Sequence, residues 1–260
     1  MAVPNSSYPK ISIITVCFNS EATLRDTLES VVAQTYANIE YIVIDGGSKD
    51  STVGLVEEFG DSIDYFVSEK DEGIYDAMNK GIRAATGDFV GILNSDDVFS
   101  GRDSVEKIAF AIQNNLGVDA VYGDLVYVDR FNLNKVVRRY SSKFFKPWKM
   151  RFGFMLPHPT FYARRQLFDE LGFYKTDYRV AADFELLSRF LQKNIASVRI
   201  DDTLIKMREG GISSNGFWWR VHQNLEIVTA CKGNGIYTNI LLVSMKVPFK
   251  VASYFMARSS

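Results

Sequence analysis

The sequence predicts an α/β fold with a mostly parallel central sheet flanked by helices. Three observations predict it. Short apolar runs rich in β-branched residues recur at residues 10–18, 39–44, 63–67 and 89–93. Amphipathic segments lie between them. Polar residues and glycines stand where the runs end. Strands alternating with helices imply parallel pairing, because each return to the same sheet edge needs a helical crossover. A chain of 260 residues, 47% hydrophobic and 23% charged, is long enough for one sizeable core.

Each element has its own reason. Residues 10–18 (KISIITVCF) are nearly all apolar, as a strand buried on both faces requires. Asn19 or Ser20 is placed to cap the next helix, whose Leu24, Leu28, Val31 and Val32 share one face. A second strand over 39–44 leads to a short helix over 50–59, with Asp50 or Ser51 at its start. The third strand covers 63–67. Ile74, Ala77, Met78, Gly81, Ile82 and Ala85 then recur at helical spacing. They predict a helix over 73–86 that Gly87 stops. The second half is less regular. It carries strand patterns over 120–128 and 203–207, and helical patterns over 183–191 and 217–229.

Charge divides the chain. Residues 1–129 hold 8 Lys and Arg against 22 Asp and Glu, while residues 130–260 hold 22 against 9. The two halves are therefore expected to do different work. Residues 130–168 contain no acid and interleave ten Lys and Arg with Phe144, Phe145, Trp148, Phe152 and Phe154. The two cysteines, Cys17 and Cys231, exclude a disulfide scaffold and favour a reducing cytoplasm. Residues 1–9 are polar, so no signal peptide is expected.

In parallel α/β sheets, ligands bind beyond the carboxyl ends of the strands. This singles out Asn19, Asp45 and the run Asn94-Ser95-Asp96-Asp97. Adjacent carboxylates at a strand end repel unless a positive charge neutralises them. A hard divalent cation, Mn²⁺ or Mg²⁺, does so. A turn or helix cap would use the same residue types. Asp45-Gly46-Gly47-Ser48 joins a strand to a helix. Its glycines let a ligand approach the backbone, or simply make a tight turn. Neither a dinucleotide fingerprint nor a P-loop is present.

VCFNSEATLRDTLESVVAQTYANIEYIVIDGGSKDST and DEGIYDAMNKGIRAATGDFVGILNSDD resemble the donor half of family 2 glycosyltransferases. The resemblance implies a GT-A, Rossmann-like fold with a C-terminal helical extension. It also implies inverting transfer from a nucleotide-sugar, a UDP-sugar by family tendency, to a hydroxyl of a glycan or lipid-linked oligosaccharide in surface polysaccharide biosynthesis. Asp45 would meet the uracil. Asp96 would be the main metal ligand and Asp97 a second. Asn94 stands where the family motif has its first Asp and would reach ribose or sugar hydroxyls. Thr15, Asn19, Lys80 and Ser95 complete the expected donor set. Asp183 would be the catalytic base, with Ala182 replacing the first acid of the family pair. His158, Gly211 and Ser213 are candidate acceptor or phosphate contacts. The expected division is 1–129 for the donor, 130–235 for acceptor and base, and 236–260 as a tail.

The tail is apolar but broken by Asn239, Lys246, Pro248 and Lys250, which is no clean transmembrane span. It reads either as an amphipathic element, split at Pro248, on the cytoplasmic face of the inner membrane, or as a helix packed on the domain. Two other function classes fit parts of the chain. A nucleotidyltransferase would also use carboxylates and a nucleotide, but would show a basic, Gly-rich first loop. A non-catalytic membrane or nucleic-acid module would leave the carboxylates unexplained. No nucleic-acid partner is expected.

Overall fold

The computed structural model describes residues 8–210 and 216–246, with 216 and 217 described by backbone alone. β1 (Ile11–Cys17) is buried along its whole length, as its unbroken apolar run predicts. It pairs in parallel with β2 (Ile39–Asp45) on one side and β4 (Phe89–Ile92) on the other, and β3 (Tyr65–Ser68) adds in parallel to β2. Alternate residues of β1 feed two apolar layers. Ile11 and Ile13 pack with α1 (Leu24–Val32) and α4 (Ser104–Gln113). Ile14 and Val16 pack with α3 (Ile74–Ala84), α6 (Ala182–Gln192) and α7 (Gly216–Gly233).

Beyond β4 the sheet becomes mixed. β8 (Tyr162–Arg164) runs antiparallel between β4 and β6 (Ala120–Asp129). β9 (Ser197–Arg208) runs parallel to β6, and β5 (Val98–Phe99) pairs antiparallel with β9. β7 (Asn132–Tyr140) forms a hairpin with β6. The strand order is β3-β2-β1-β4-β8-β6-β9-β5, so one continuous sheet carries both the acidic and the basic half.

Several local expectations shift. α1 begins at Leu24, and neither Asn19 nor Ser20 caps it. Val32 is exposed rather than on the packed face. Asp50 does serve the start of α2 (Thr52–Glu58), where its Oδ1 accepts from the Thr52 N–H at 3.0 Å. α3 ends at Ala84, before Gly87, because Ala85 is already extended. β9 extends well before residue 203. Its charged first half is held laterally, with Arg199 paired to Asp124 and Asp201.

The tail packs on the domain as far as residue 246. α8 (Ile240–Ser244) lies on a 3-10 turn, Pro147–Phe152, with Val243 fully buried and the Thr238 hydroxyl donating to the Arg151 carbonyl. Pro248 lies outside the described residues. No helix among the described residues is long and apolar enough to cross a membrane.

Candidate active site

The strand order β2-β1-β4 sets three carboxyl ends side by side, and hydrogen bonds tie them together. Asn19, just past β1, has a left-handed backbone (φ 48°), which asparagine tolerates. Its N–H donates to Ser48 Oγ at 2.8 Å and its Oδ1 accepts from the Lys49 N–H at 3.0 Å, joining the β1 and β2 ends. Ser20 and Ser95 hydroxyls meet at 2.9 Å, joining the β1 and β4 ends.

Asp45 ends β2 and is fully buried. Its Oδ2 accepts from the Gly47 N–H (3.1 Å), the Ser48 N–H (2.9 Å) and Ser68 Oγ (2.6 Å), while Ser48 Oγ donates to Oδ1. A buried carboxylate must collect such donors. Asp71 closes the same corner. Its Oδ2 lies 3.0 Å from where a Cβ at Gly46 would stand, so a side chain there would crowd it. Lys80 pairs with Asp71 (2.5 Å), Glu69 (2.8 Å) and Asp76 (3.6 Å). Phe18 leaves its ring largely exposed beside Gly46.

At the β4 end, Asp97 is fully buried and Asp96 half-buried. Asp97 accepts a 3.3 Å bond from Asn94 Nδ2 at one oxygen, while Asp97 Oδ1 and Asn94 Oδ1 have no partner. Burial pushes both carboxyls above the usual range, and the charge of Asp96 adds to the shift of Asp97. Arg208, at the end of β9, supplies a nearby positive charge but is itself paired to Asp26. Orphaned buried oxygens beside two carboxylates fit a hard cation. Among the described residues no group of three or more His, Cys, Asp or Glu could hold a metal ion, so a cation at Asp96 and Asp97 would need substrate oxygens too.

Asp183 lies in the first turn of α6 and is half-buried. Its Oδ1 accepts from the Phe184 N–H at 2.7 Å. Burial raises its carboxyl to about 6, with Glu226 adding in the same direction and the Phe184 N–H opposing. The Tyr75 hydroxyl, at the start of α3, abuts the Ala182 and Asp183 backbone, so the starts of α3 and α6 meet. The Tyr75 and Tyr174 rings stack at 5.9 Å.

The profile of glycosyl transferase family 2 matches residues 12–180. The chain belongs to this family. It is 31% identical over 218 residues to the UDP-Glc:alpha-D-GlcNAc-diphosphoundecaprenol beta-1,3-glucosyltransferase WfgD of Escherichia coli, covering 80% of this chain and 81% of WfgD. Among solved structures, TarS of S. aureus superposes with a TM-score of 0.64 at 19% identity, over 84% of this glycosyltransferase and 40% of TarS. The mannosyltransferase PcManGT of Pyrobaculum calidifontis, solved with GDP-Man and Mn²⁺, gives 0.63 at 20% identity, over 91% of this chain and 67% of its own. These likenesses establish the GT-A fold.

Within this glycosyltransferase the expected site residues divide. Asn19, Asp45, Asn94, Ser95, Asp96 and Asp97 gather at adjoining strand ends. Thr15 does not join them. It is fully buried two residues short of the β1 end, with its hydroxyl 3.1 Å from that of Tyr41. His158 is a packed histidine, 9% exposed, with Nε2 2.6 Å from Tyr174 Oη, and burial holds it down at about 4. Asp45 does not open onto the cleft, because its oxygens are taken up by its own turn and by Ser68 of β3. Lys80 is surrounded by carboxylates rather than free for a phosphate. Gly211 and Ser213 lie outside the described residues. Sequence reasoning missed Phe18, Asp71 and Arg208. A signal for Asp71 existed, since it opens the second family-like stretch.

Proposed function

We propose that the enzyme is an inverting glycosyltransferase that moves a sugar from a UDP-sugar to a hydroxyl of a lipid-linked glycan, with Asp183 as general base and a divalent cation on Asp96 and Asp97. The observation that carries this reading is the carboxylate pair at the end of β4, with one oxygen of the buried Asp97 unpartnered among strand ends that already meet. The choice of UDP and of a lipid-linked acceptor is supported by the substrate named for WfgD. The cation is supported by the Mn²⁺ named for PcManGT.

The donor would lie across the β2, β1 and β4 ends. The exposed Phe18 ring offers a stacking face for the nucleobase. Asp45 acts one layer back, holding the Ser48 and Ser68 hydroxyls and the 46–48 backbone in place. Asp71, Gly46 and Lys80 form the wall of that corner, and Asn94 and Ser95 border the ribose and sugar side. When bound, Mn²⁺ or Mg²⁺ supplies the positive charge that offsets the charge developing on the leaving nucleoside diphosphate.

Asp183 takes the proton of the acceptor hydroxyl as that oxygen forms its bond to the anomeric carbon. The bond from that carbon to the diphosphate oxygen breaks, and UDP leaves with the electron pair. A single in-line displacement inverts the anomeric centre. A carboxyl near 6 suits the task, since it is ionised at neutral pH yet more basic than a free aspartate.

On this reading residues 1–129 hold the donor and residues 130–235 supply acceptor contacts and base. The basic, aromatic turn around Phe144 and Trp148, with the exposed Tyr237 and Leu241 beside α8, would rest on an anionic membrane surface. The test is a panel of UDP-, GDP- and dTDP-sugars with Mn²⁺ or Mg²⁺, scored by thermal protection and nucleotide release. Asp183→Asn should keep UDP-sugar binding and lose transfer. Strong residual transfer by that variant, or release of pyrophosphate in place of UDP, would overturn the assignment.

A further inference from the structure

Glu226 lies on α7, far along the chain from the base, and the chemistry above does not use it. Its side chain is only 12% exposed. Its Oε1 accepts from the Arg179 N–H at 2.8 Å. Its Oε2 accepts from the Val180 and Ala181 N–H groups, both at 2.9 Å. His222, one turn earlier on α7, places Nε2 2.9 Å from Oε1. Three consecutive backbone N–H groups thus converge on one carboxylate.

Those three residues lead directly into α6, where Asp183 is the second residue. The N-cap position is Ala181, whose methyl group can accept nothing. A helix start of this kind ordinarily draws on a Ser, Thr, Asp or Asn of its own. Here the turn before the helix is instead fastened from another helix. The Asp183 carboxylate accepts from backbone N–H groups of the same turn, that of Phe184 among them, so where it points is inherited from where α6 begins.

We propose that Glu226 is a positioning residue for the base: by holding the 179–181 turn it fixes the start of α6, and with it the direction of the Asp183 carboxylate toward the acceptor hydroxyl. The inference rests on the reading of Asp183 as the base. Proton transfer is steep in geometry, and a misplacement of about 1 Å costs on the order of 10²-fold in rate. A residue that merely stabilised the fold would reduce the amount of folded enzyme and leave kcat per folded molecule unchanged, so kcat is taken per folded molecule.

The test uses the full chain, with kcat and the sugar-donor KM measured for Glu226→Ala, Glu226→Gln and Asp183→Asn. Glu226→Ala should lower kcat about 10- to 100-fold, with the donor KM within about twofold of wild type. Glu226→Gln keeps one accepting oxygen but turns an N–H donor toward the turn, so it should fall between wild type and Glu226→Ala, again at unchanged donor KM. Wild-type kcat in Glu226→Gln overturns the inference, as does a loss of donor affinity that matches the loss of kcat. Should Glu226→Ala fail to fold, Glu226→Gln decides alone. Full transfer by Asp183→Asn would sink the base assignment itself. An inactive Asp183→Asn beside fully active Glu226 variants would remove only the positioning role.

Discussion

Asp183 has a carboxyl near 6 inside a half-buried setting faced by Tyr75, Tyr140, Tyr174, Glu226 and Lys246. On the proposed mechanism its ionised form is the base, so kcat should fall about tenfold per pH unit below pH 6 and level off above it. A flat profile between pH 5 and pH 8 would remove Asp183 from the chemistry. The same shift has a stability sign. The folded value lies above the roughly 3.9 of an unfolded aspartate, so folding binds the proton more tightly. That contribution is complete below about pH 4 and is lost as pH rises through 6. Asp97 follows the same sign more strongly, because it is fully buried and one oxygen has no partner. Asp97→Asn should therefore raise the metal-free unfolding midpoint, by roughly 2–4 °C for each kcal/mol of relieved burial penalty, and remove the stabilisation by Mn²⁺ together with UDP. Calorimetry with and without Mn²⁺ and UDP checks both. A lower midpoint with the Mn²⁺ effect intact would contradict the placement of the cation. At this scale the sequence located Asp96 and Asp97 past a strand end and Asp183 at a helix start, because those are local features. It hid the enclosure of Asp45 and Thr15, whose partners Ser68 and Tyr41 arrive from other strands.

Elements were legible in proportion to how much of their pattern is their own. β1, β2, β4 and α3 carry long apolar or amphipathic periods, and the predicted spans match the observed ones to within a few residues. β5, β7 and β8 went unseen. β5 has two residues, β8 has three, and β7 (NLNKVVRRY) is largely polar, so neighbours rather than their own composition make them strands. Close packing between elements was equally hidden. A Cβ on Gly91 of β4 would stand 2.2 Å from a ring carbon of the fully buried Tyr162 on β8. Gly91→Ala should therefore overpack this junction and cost about 1–3 kcal/mol, read as a lower urea midpoint with little change in slope. An unchanged midpoint would show that β4 and β8 separate at little cost. β4 leads straight into residues 94–97, so the same strain reaches the carboxylate pair.

The whole molecule joins an acidic and a basic half through one sheet. Lys143 and Lys146 stand exposed beside Phe144 and Trp148, and α8 packs on the same turn with Tyr237 and Leu241 outward. Lysines next to exposed aromatics suit an anionic lipid surface, where charge draws the protein in and rings settle at the interface. The acidic half would be repelled, leaving the strand ends open to solution. The protein should co-sediment with phosphatidylglycerol vesicles and only weakly with phosphatidylcholine ones. Binding should decline as salt rises from about 0.05 to 0.5 M, because the screening length contracts over that range. Changing Lys143 and Lys146 to Glu together with Trp148→Ala should cut vesicle binding by about tenfold or more, at about 1 kcal/mol per lost lysine contact. Slow hydrolysis of the soluble sugar donor should be untouched, since no strand-end residue changes. Equal binding to neutral and anionic vesicles, or full binding by the triple variant, would detach the basic half from the membrane and return its charge to the acceptor.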